Sequence, residues 1–276
     1  LIGDPDTIEN RIKHMGLRLR PGIDVEIINP KEYMKKMDID QTGMTEANTC
    51  VATKMLQQGE ADAMICGTDG HFHDHLDHVT RELGIHEELN QAAAVNVLLL
   101  KKGAYFICDT AVTVDPTAEQ IADNTLLAAE TVQRFGLTPK VALLSFSNGD
   151  DIDSETSKKM TAAMDIIHKQ NPDLQVQGPI RADAALLKDI RRRVLPYSKL
   201  VENANLLIMP NLDAAKIAYD MVKVLGEAVS IGPILVGLNY PVHILTPSST
   251  VRRIVNASAI AVVDAQIKAN ESRSLL

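Results

Sequence analysis

The chain has 276 residues, with 28 Lys and Arg against 36 Asp and Glu, and its formal charge is −8. At roughly 100–200 residues per domain, this length predicts one large domain or two ordinary ones. The acidic balance and the 3% aromatic content, with no Trp, argue against a nucleic-acid partner and against a membrane partner. Three cysteines without metal-site spacing (Cys50, Cys66 and Cys108) indicate reduced thiols, and no apolar run approaches the ~18–20 residues of a membrane span. The sequence therefore predicts a globular cytoplasmic protein.

The chain opens with Leu1-Ile2-Gly3-Asp4, which has no initiator Met and resembles the end of an apolar strand. This start predicts a domain that belongs to a longer polypeptide, and the alternative is a complete protein trimmed at its beginning. Asp4 and Pro5 then provide an N-cap and an N1 proline for a first helix.

Periodicity and turn signals place the remaining elements. Strands are predicted over 25–28, 61–66, 95–100, 104–109, 141–146, 174–176 and 205–209, with shorter ones around Ile234 and over 243–245. Helices are predicted over 45–58, 115–135, 154–170, 182–195, 212–225 and 248–268, and Arg191–Arg193 is predicted as a solvated helix face. Because strands alternate with helices, we expect a mainly parallel sheet that binds ligands beyond the carboxyl ends of its strands.

A histidine-rich stretch after Cys66 is the most conspicuous motif. Residues His73 to His78 match H-x-H-x-D-H, a pattern that gathers two zinc ions in metallo-β-lactamase-type hydrolases, and alternate positions of an extended loop can converge on one metal. That architecture needs a β-rich N-terminal half, whereas helix and strand alternate here. His71, His75 and His78 also have the i, i+4, i+7 spacing of one helix face. We assign no metal to this chain and keep a zinc metallohydrolase as an alternative.

Three stretches carry the strongest functional signal: Ser145–Asp150 and Met209–Ala218, at the ends of predicted strands, and Gly232–Gly237, around the short strand predicted at Ile234. The first precedes a helix, where backbone N–H groups suit an anion. Together they resemble phosphate acetyltransferase, which exchanges acetyl between phosphate and coenzyme A. The end of the chain, Pro241–Asn256 and Val263–Gln266, resembles in particular the C-terminal phosphotransacetylase-like domain of bacterial NADP-dependent malic enzymes. The resemblance covers nearly the whole chain.

This resemblance implies an α/β fold with two domains, three αβα layers and an interdomain cleft, shared with phosphate acetyltransferase and with isocitrate and isopropylmalate dehydrogenases. Residues 1–112 and 241–276 would form domain I, and residues 113–240 domain II. The malic enzyme catalytic domain would lie outside this chain. Domain II helices pair across a two-fold axis in the family, so a homodimer through domain II is expected.

Departures from the active transferases concern the reacting groups. Those enzymes resemble this chain but carry a Ser-Arg pair at the positions of Thr246 and Pro247, and an acid at the position of Arg253. The resemblance implies that this Ser contacts the transition state, the Arg holds the anionic substrate and the acid assists the thiol. Proline has no guanidinium group, and arginine cannot act as a base. Asp150 and Asp151 stand where active enzymes offer a small Gly-Ser pair, and two carboxylates repel a phosphate dianion. We therefore assign no catalytic residue.

A cleft that has lost this chemistry can still bind acetyl-CoA. Arg252 and Arg253, in the first turn of the last helix, are candidates to meet CoA phosphates, because cations there oppose the helix dipole; Lys216 is a weaker one. Helix capping is the alternative for the candidates in 211–213 and 246–249. The candidate acetyl-CoA residues are Ser145, Ser147, Asn148, Asn211, Asp213, Lys216, Thr246, Pro247, Ser248, Ser249, Arg252 and Arg253.

These observations lead to a regulatory hypothesis. Acetyl-CoA would bind as an allosteric inhibitor of the oxidative decarboxylation of malate to pyruvate, performed by a malic enzyme domain of the same polypeptide. NADP and a divalent metal, Mg or Mn, would belong to that absent domain. The alternatives are an active phosphate acetyltransferase, which converts acetyl-CoA and phosphate to acetyl phosphate and CoA, the zinc hydrolase, and a purely structural oligomerisation module.

Overall fold

The computed structural model describes residues 1–39, 44–87, 89, 91–149 and 153–274. Strands and helices alternate along most of this length, as predicted. Among the described residues, no helix combines the length and the apolar character needed to cross a bilayer.

The helices and strands have the following bounds. The helices are α1 (Pro5–His14), α2 (Pro30–Lys36), α3 (Met44–Gln57), α4 (Phe72–Leu83), α5 (Ala118–Arg134), α6 (Glu155–Gln170), α7 (Ala182–Leu186), α8 (Lys188–Val194), α9 (Leu212–Leu225) and α10 (Val251–Ser274). The strands are β1 (Met64–Cys66), β2 (Ala93–Leu100), β3 (Gly103–Cys108), β4 (Lys140–Leu144), β5 (Gln175–Ile180), β6 (Leu206–Ile208), β7 (Val229–Val236) and β8 (Val242–Ile244).

The chain forms two compact units. Unit 1 comprises Leu1–Gly84, Tyr240–Ser249 and Ala261–Leu276, and unit 2 comprises Ile85–Asn239 and Thr250–Ile260. The predicted first boundary lay at residue 113 instead. The difference arises because the β2–β3 hairpin belongs to the sheet of unit 2, where β3 pairs with β6 and β2 pairs with β7.

The sheet of unit 2 has the strand order β5-β4-β6-β3-β2-β7. The pairs β5–β4, β4–β6 and β6–β3 are parallel, whereas β2 runs antiparallel to both of its neighbours. Alternate strand residues face opposite helical layers. Val141 and Leu143 pack with α5 and α6, while Ala142 and Leu144 pack with α7 and α9. The predicted three-layer αβα arrangement is therefore confirmed for unit 2.

Unit 1 contains the parallel pair β1–β8 together with α1 to α4. Residues 25–28, predicted as a strand, form only isolated bridges, between Ile28 and Ile2 and between Val25 and Pro21. An ion pair connects two helices of this unit, with 3.3 Å between Lys54 Nζ on α3 and Glu82 Oε2 on α4. Burial raises the pKa of Glu82, but hydrogen bonds from Lys54 and Arg81 and the charges of Lys54 and His78 outweigh burial and hold that pKa below its ordinary value.

Gly67, directly after β1, lies where only glycine fits. Its φ is +87°, and a Cβ atom would collide with the carbonyl oxygen of Leu245 and lie 2.7 Å from Ile244 Cγ2. Gly59 also has a positive φ, +72°, but a Cβ atom there would meet nothing within 4 Å. The close approach of residue 67 to the end of β8 therefore distinguishes these two turns.

Helix 182–195, predicted as continuous, is divided into α7 and α8 by the extended residue Leu187. Arg191 contributes to this break, because its side chain donates to the carbonyl oxygens of Ala184 (2.9 Å) and Ala185 (3.1 Å) at the end of α7. The predicted solvated face is therefore wrong for Arg191, which is only 2% exposed, whereas Arg192 is exposed.

Candidate functional site

The carboxyl ends of β5, β4 and β6 lie side by side in unit 2, because these strands are parallel neighbours. Leu144 pairs with Ile180, and Leu143 pairs with Ile208, so the loops that follow share one edge of the sheet. In α/β sheets this edge is where ligands bind. The structure thus brings the candidates in 145–148 and 211–216 to one edge.

The loop after β4 is held from two sides. The Ser145 N–H donates to Ile180 O (2.9 Å), and Asn148 Oδ1 accepts from the Arg181 N–H (3.0 Å). Ser147 Oγ lies 3.0 Å from Ser157 Oγ of α6, so the Ser147 hydroxyl forms a hydrogen bond that holds the loop against this helix. The Ser145 hydroxyl is buried and has no hydrogen-bond partner among the described residues. Asp150 and Asp151, the predicted repulsive pair, lie outside those residues.

The loop after β6 begins α9 at Leu212. Asn211 Oδ1 accepts from the Ala214 N–H (2.9 Å), which confirms capping for Asn211. Asp213 is the second residue of the helix and is exposed. Lys216 is also exposed, and its Nζ lies 5.5 Å from the ring centroid of Tyr219. Asp213 and Lys216, three positions apart, therefore place an anion and a cation near the start of this helix.

The two arginines of α10 have different surroundings. Arg253 is half-buried, and its Nε and Nη2 both donate to Gly232 O of β7, at 3.2 and 2.8 Å. Arg252 is exposed to solvent. Both lie in the first turn, as predicted, because α10 begins at Val251. Arg253 therefore braces an edge strand of unit 2, and Arg252 is the cation that solvent or a ligand can reach.

The remaining candidates, Thr246 to Ser249, belong to unit 1 and form a hydroxyl-rich turn after β8. Thr246 Oγ1 lies 3.0 Å from Ser248 Oγ, and the Thr246 N–H donates to Ser249 Oγ (3.1 Å). The predicted helix start at 248 is wrong, because Thr250 caps α10 by accepting from the Arg253 N–H (3.3 Å). Pro247 is exposed within this turn.

Asp109, a buried polar residue at the end of β3, was not predicted from the sequence as part of the site. The Asp109 carboxylate accepts from the backbone N–H groups of Ala94 (3.1 Å), Ala111 (3.0 Å) and Thr113 (2.7 Å). Burial raises the pKa of Asp109, although these backbone hydrogen bonds act to lower it. An Asp directly after the apolar run of β3 was the available signal. Its role is to fix the loop that follows β3 at the same sheet edge.

The histidine-rich stretch lies on α4 and not on an extended loop, so the premise of the zinc hypothesis is wrong. His75 is buried, with Nδ1 3.0 Å from Thr49 Oγ1 and Nε2 2.6 Å from Asp69 O. His73 stands two positions away, on a different face of the helix. In the part of the chain that the structure describes, no group of three or more His, Cys, Asp or Glu side chains could hold a metal ion.

Burial disfavours the thiolate form of the cysteines. Cys50, Cys66 and Cys108 are free thiols. Burial raises the pKa of Cys66 to about 12 and that of Cys108 well above its ordinary value. The thiolate, which is the reactive form, is therefore scarce at neutral pH.

The chain combines a mostly parallel α/β sheet, which has polar loops at its carboxyl edge, with a smaller second unit. Solved phosphotransacetylases share this architecture. The structure of a phosphotransacetylase from Streptococcus pyogenes matches with a TM-score of 0.79 at 25% identity, and the match covers 96% of this chain and 84% of that one. The chain belongs to the phosphate acetyl/butaryl transferase family, whose pattern matches residues 1–262.

Two groups of relatives fall within this similarity. The NADP-dependent malic enzyme of Escherichia coli (strain K12) is 44% identical over 284 residues, which are 96% of this chain and 37% of that protein. The phosphate acetyltransferase of Corynebacterium glutamicum is 30% identical over 281 residues, covering 96% of this chain and 84% of that protein. The chain therefore spans little more than a third of the malic enzymes that it matches. The predicted resemblance to both groups is confirmed.

Proposed function

We propose that this chain is a regulatory unit of a cytoplasmic NADP-dependent malic enzyme. In this proposal acetyl-CoA binds the unit without being converted and lowers the oxidative decarboxylation of malate to pyruvate elsewhere in the same polypeptide. The 44% identity to a malic enzyme, against 30% to a phosphate acetyltransferase, is the observation that carries it. NADP and a divalent Mg or Mn ion would be held by the malic enzyme domain.

The absence of acetyl transfer is supported by two positions where active transferases carry reacting groups. Pro247 has neither a guanidinium group nor an N–H to hold an anionic substrate. Arg253 carries a guanidinium group, which is not a base, and two of its N–H groups already donate to Gly232 O. A residue that is permanently cationic and anchored to a strand cannot accept a proton from a thiol.

Retention of acetyl-CoA is supported by exposed cations and an unoccupied hydroxyl of unit 2. Arg252 is exposed in the first helical turn, where the helix dipole disfavours a cation unless an anion compensates it. CoA phosphates are such anions, and an arginine binds them through charge-assisted hydrogen bonds. Lys216 adds an exposed cation, and the Ser145 hydroxyl adds a donor that no described residue occupies. These groups suit a phosphorylated thioester and would bind and orient it.

A homodimer through unit 2 forms part of the proposal. The outer face of α9 exposes apolar side chains at helical spacing: Ile217 (61% exposed), Met221 (55%), Val224 (68%) and Leu225 (78%). Apolar side chains in one contiguous stripe are typical of protein–protein contacts. The proposal assigns this stripe to contact with a second copy.

Inhibition would constitute feedback, since pyruvate is a source of acetyl groups. Linkage requires reciprocity, so stabilising the active state of the malic enzyme domain must weaken acetyl-CoA binding by the same factor. A coupling of about 1–3 kcal/mol changes affinity roughly 5- to 150-fold. Coupling of that size is measurable in the full polypeptide as malate-dependent acetyl-CoA affinity.

The experiment is a calorimetric titration of the chain with acetyl-CoA, beside CoA and acetyl phosphate. We expect acetyl-CoA to bind, and Arg252→Gln to weaken binding about tenfold by removing a charge-assisted contact. Arg192→Gln, which removes an exposed arginine from α8, serves as the control and should bind as the parent does. No heat at millimolar acetyl-CoA would contradict the proposal.

An active phosphate acetyltransferase is the second candidate, favoured by the 84% coverage of the Corynebacterium glutamicum enzyme. Release of free CoA from acetyl-CoA in phosphate buffer, followed with a thiol reagent, distinguishes the two. Phosphate-dependent release would establish the transferase, and binding without release would support the regulatory unit.

A further inference from the structure

Asn148 is followed by Gly149 in the loop after β4, and this is the only Asn-Gly pair in the sequence. The carboxamide of an asparagine is open to attack by the main-chain nitrogen of the next residue, and asparagine is accordingly thermolabile. Attack needs a nitrogen that no side chain shields, which glycine provides because it has no Cβ atom. Gly149 is exposed, and no described residue accepts a hydrogen bond from its N–H. The Gly149 nitrogen is therefore accessible for attack.

The fold polarises the carboxamide of Asn148. Asn148 Oδ1 accepts from the Arg181 N–H at 3.0 Å, and Arg181 lies directly after β5. When a nitrogen attacks the carboxamide carbon, negative charge develops on this oxygen. A fixed main-chain N–H that points at such an oxygen stabilises the charge, as the donors of an oxyanion hole do. The Arg181 N–H therefore lowers the barrier to attack as well as holding the loop.

Asn203 provides a contrast within the same unit. It is exposed, and its Oδ1 likewise accepts from a main-chain N–H, that of Lys188 at 2.8 Å. The next residue, Ala204, carries a Cβ atom, and its N–H donates to Ala185 O at 3.0 Å. Asn203 therefore combines a polarised carboxamide with a neighbouring nitrogen that is not available.

We propose that Asn148 is a deamidation site, at which the chain is modified without an enzyme. The Gly149 nitrogen gives up its proton and bonds to Asn148 Cγ. The bond from Cγ to Nδ2 breaks, so the side-chain nitrogen leaves as ammonia and a succinimide ring closes. Water then adds to one of the two ring carbonyls and breaks the bond of that carbonyl to the Gly149 nitrogen. Opening at Cγ leaves aspartate, and opening at the main-chain carbonyl leaves isoaspartate, which has an extra methylene group in the main chain.

Deamidation changes the charge of the loop after β4. Either product replaces the neutral carboxamide by a carboxylate on the loop that also carries Ser145. A carboxylate at this sheet edge opposes the binding of a phosphorylated ligand, because like charges repel. This consequence rests on the proposed function, and the age of Asn148 would then set how long a molecule keeps its affinity for acetyl-CoA. The modification itself does not depend on that function.

The test incubates the whole chain in mildly alkaline buffer and follows deamidation at Asn148 and Asn203 by peptide mass spectrometry. Two variants isolate the main-chain donor at position 181. Arg181→Pro removes the N–H, and the φ of −72° at this residue suits proline. Arg181→Ala, the matched control, removes the guanidinium group and keeps the N–H.

We expect Asn148 to deamidate at least about tenfold faster than Asn203 in the parent chain, and Arg181→Ala to react as the parent does. Arg181→Pro should slow the reaction at Asn148 about tenfold by removing the donor to the developing negative charge. Equal rates at Asn148 and Asn203 would overturn the proposal, and this comparison needs no variant. A reaction in folded Arg181→Pro that is as fast as in Arg181→Ala would overturn the role of the N–H.

The effect on the ligand is measured separately, by calorimetric titration of Asn148→Asp with acetyl-CoA. We expect binding about tenfold weaker than that of the parent chain. Binding equal to that of the parent would overturn the consequence for the ligand. A parent chain that does not bind acetyl-CoA would contradict the proposed function, whereas deamidation is read from mass alone, so the two failures are distinguishable.

Discussion

Replacing Arg191 by methionine tests whether a buried cation holds the segment between α7 and β6. Arg191 donates to four carbonyl oxygens, those of Ala184 (2.9 Å), Ala185 (3.1 Å), Leu200 (3.1 Å) and Glu202 (2.6 Å). Burial lowers the pKa of Arg191, and the neighbouring charge of Arg192 lowers it further. The four hydrogen bonds stabilise a side chain whose charge is otherwise costly to bury.

The magnitude follows from the lost hydrogen bonds. Methionine retains much of the apolar stem but donates to none of the four carbonyl groups. Each bond contributes about 1 kcal/mol net, and somewhat more where the donor is charged, so the loss is about 4–6 kcal/mol. Removing the buried positive charge regains its desolvation cost and offsets part of this loss. The net destabilisation is then about 3–5 kcal/mol. At roughly 2–4 °C per kcal/mol for a unit of this size, the thermal midpoint should fall by about 10 °C.

Circular dichroism melts of the parent, Arg191→Met and Arg192→Met measure this effect. Arg192 is the matched control, since it is exposed on the same helix, and its replacement should cost less than about 0.5 kcal/mol. If Arg191→Met melted within 2 °C of the parent, or no lower than Arg192→Met, the reasoning about the four carbonyl groups would be refuted.

Three further predictions rest on contacts described above. Gly67→Ala should lower the free energy of unfolding by about 3 kcal/mol, because it adds both left-handed backbone strain and a collision with the backbone of Leu245. Gly59→Ala adds only the strain and should lower it by about 1 kcal/mol. Equal urea midpoints for the two variants would contradict the collision. Because the pKa of Glu82 is lowered in the folded state, its ion pair stabilises the fold above pH 4.5, and this contribution is lost as the pH falls through the lowered pKa. Glu82→Gln should therefore be about 0.5–1 kcal/mol less stable than the parent at pH 7 in urea titrations, and this difference should shrink as the pH falls below 4.5. A difference that stays constant with pH would refute the assignment. Met221→Lys (55% exposed) should weaken self-association about 30-fold in light-scattering measurements, while Val201→Lys (61% exposed), outside α9, should leave the mass unchanged. A parent chain that is monomeric would refute the contact.

Elements with local signals were predicted well. α9 has the predicted bounds, because Asn211 caps it and Gly226 ends it. β2 and β3, predicted as strands over 95–100 and 104–109, form a hairpin around the short polar turn Lys101-Lys102-Gly103. α4 was not placed as a helix, because histidines and charges dominate its sequence and only one face of it is buried.

Features that depend on distant partners could not be predicted. Nothing local distinguishes Arg191 from Arg192, and the difference in their burial arises from carbonyl groups brought together by the tertiary fold. The contact between Arg253 and Gly232 O likewise requires the edge strand β7 to lie beside α10. Sequence motifs identified the loops of the candidate site. Which side chains of these loops form hydrogen bonds within the protein depends on tertiary packing, and the motifs do not show it.

The pairing of β1 with β8 has a consequence for synthesis. A ribosome releases the chain from its N-terminus, so β1 emerges long before Met64 can pair with Val242. The sheet of unit 2 is likewise incomplete until β7 has been synthesised, because Val236 of β7 pairs with Ala93 of β2. Such distant pairings form slowly, and apolar strands without partners are prone to aggregate. A nascent chain stalled before residue 229 therefore exposes β1 and the outer edge of β2, and is the intermediate on which a chaperone would act.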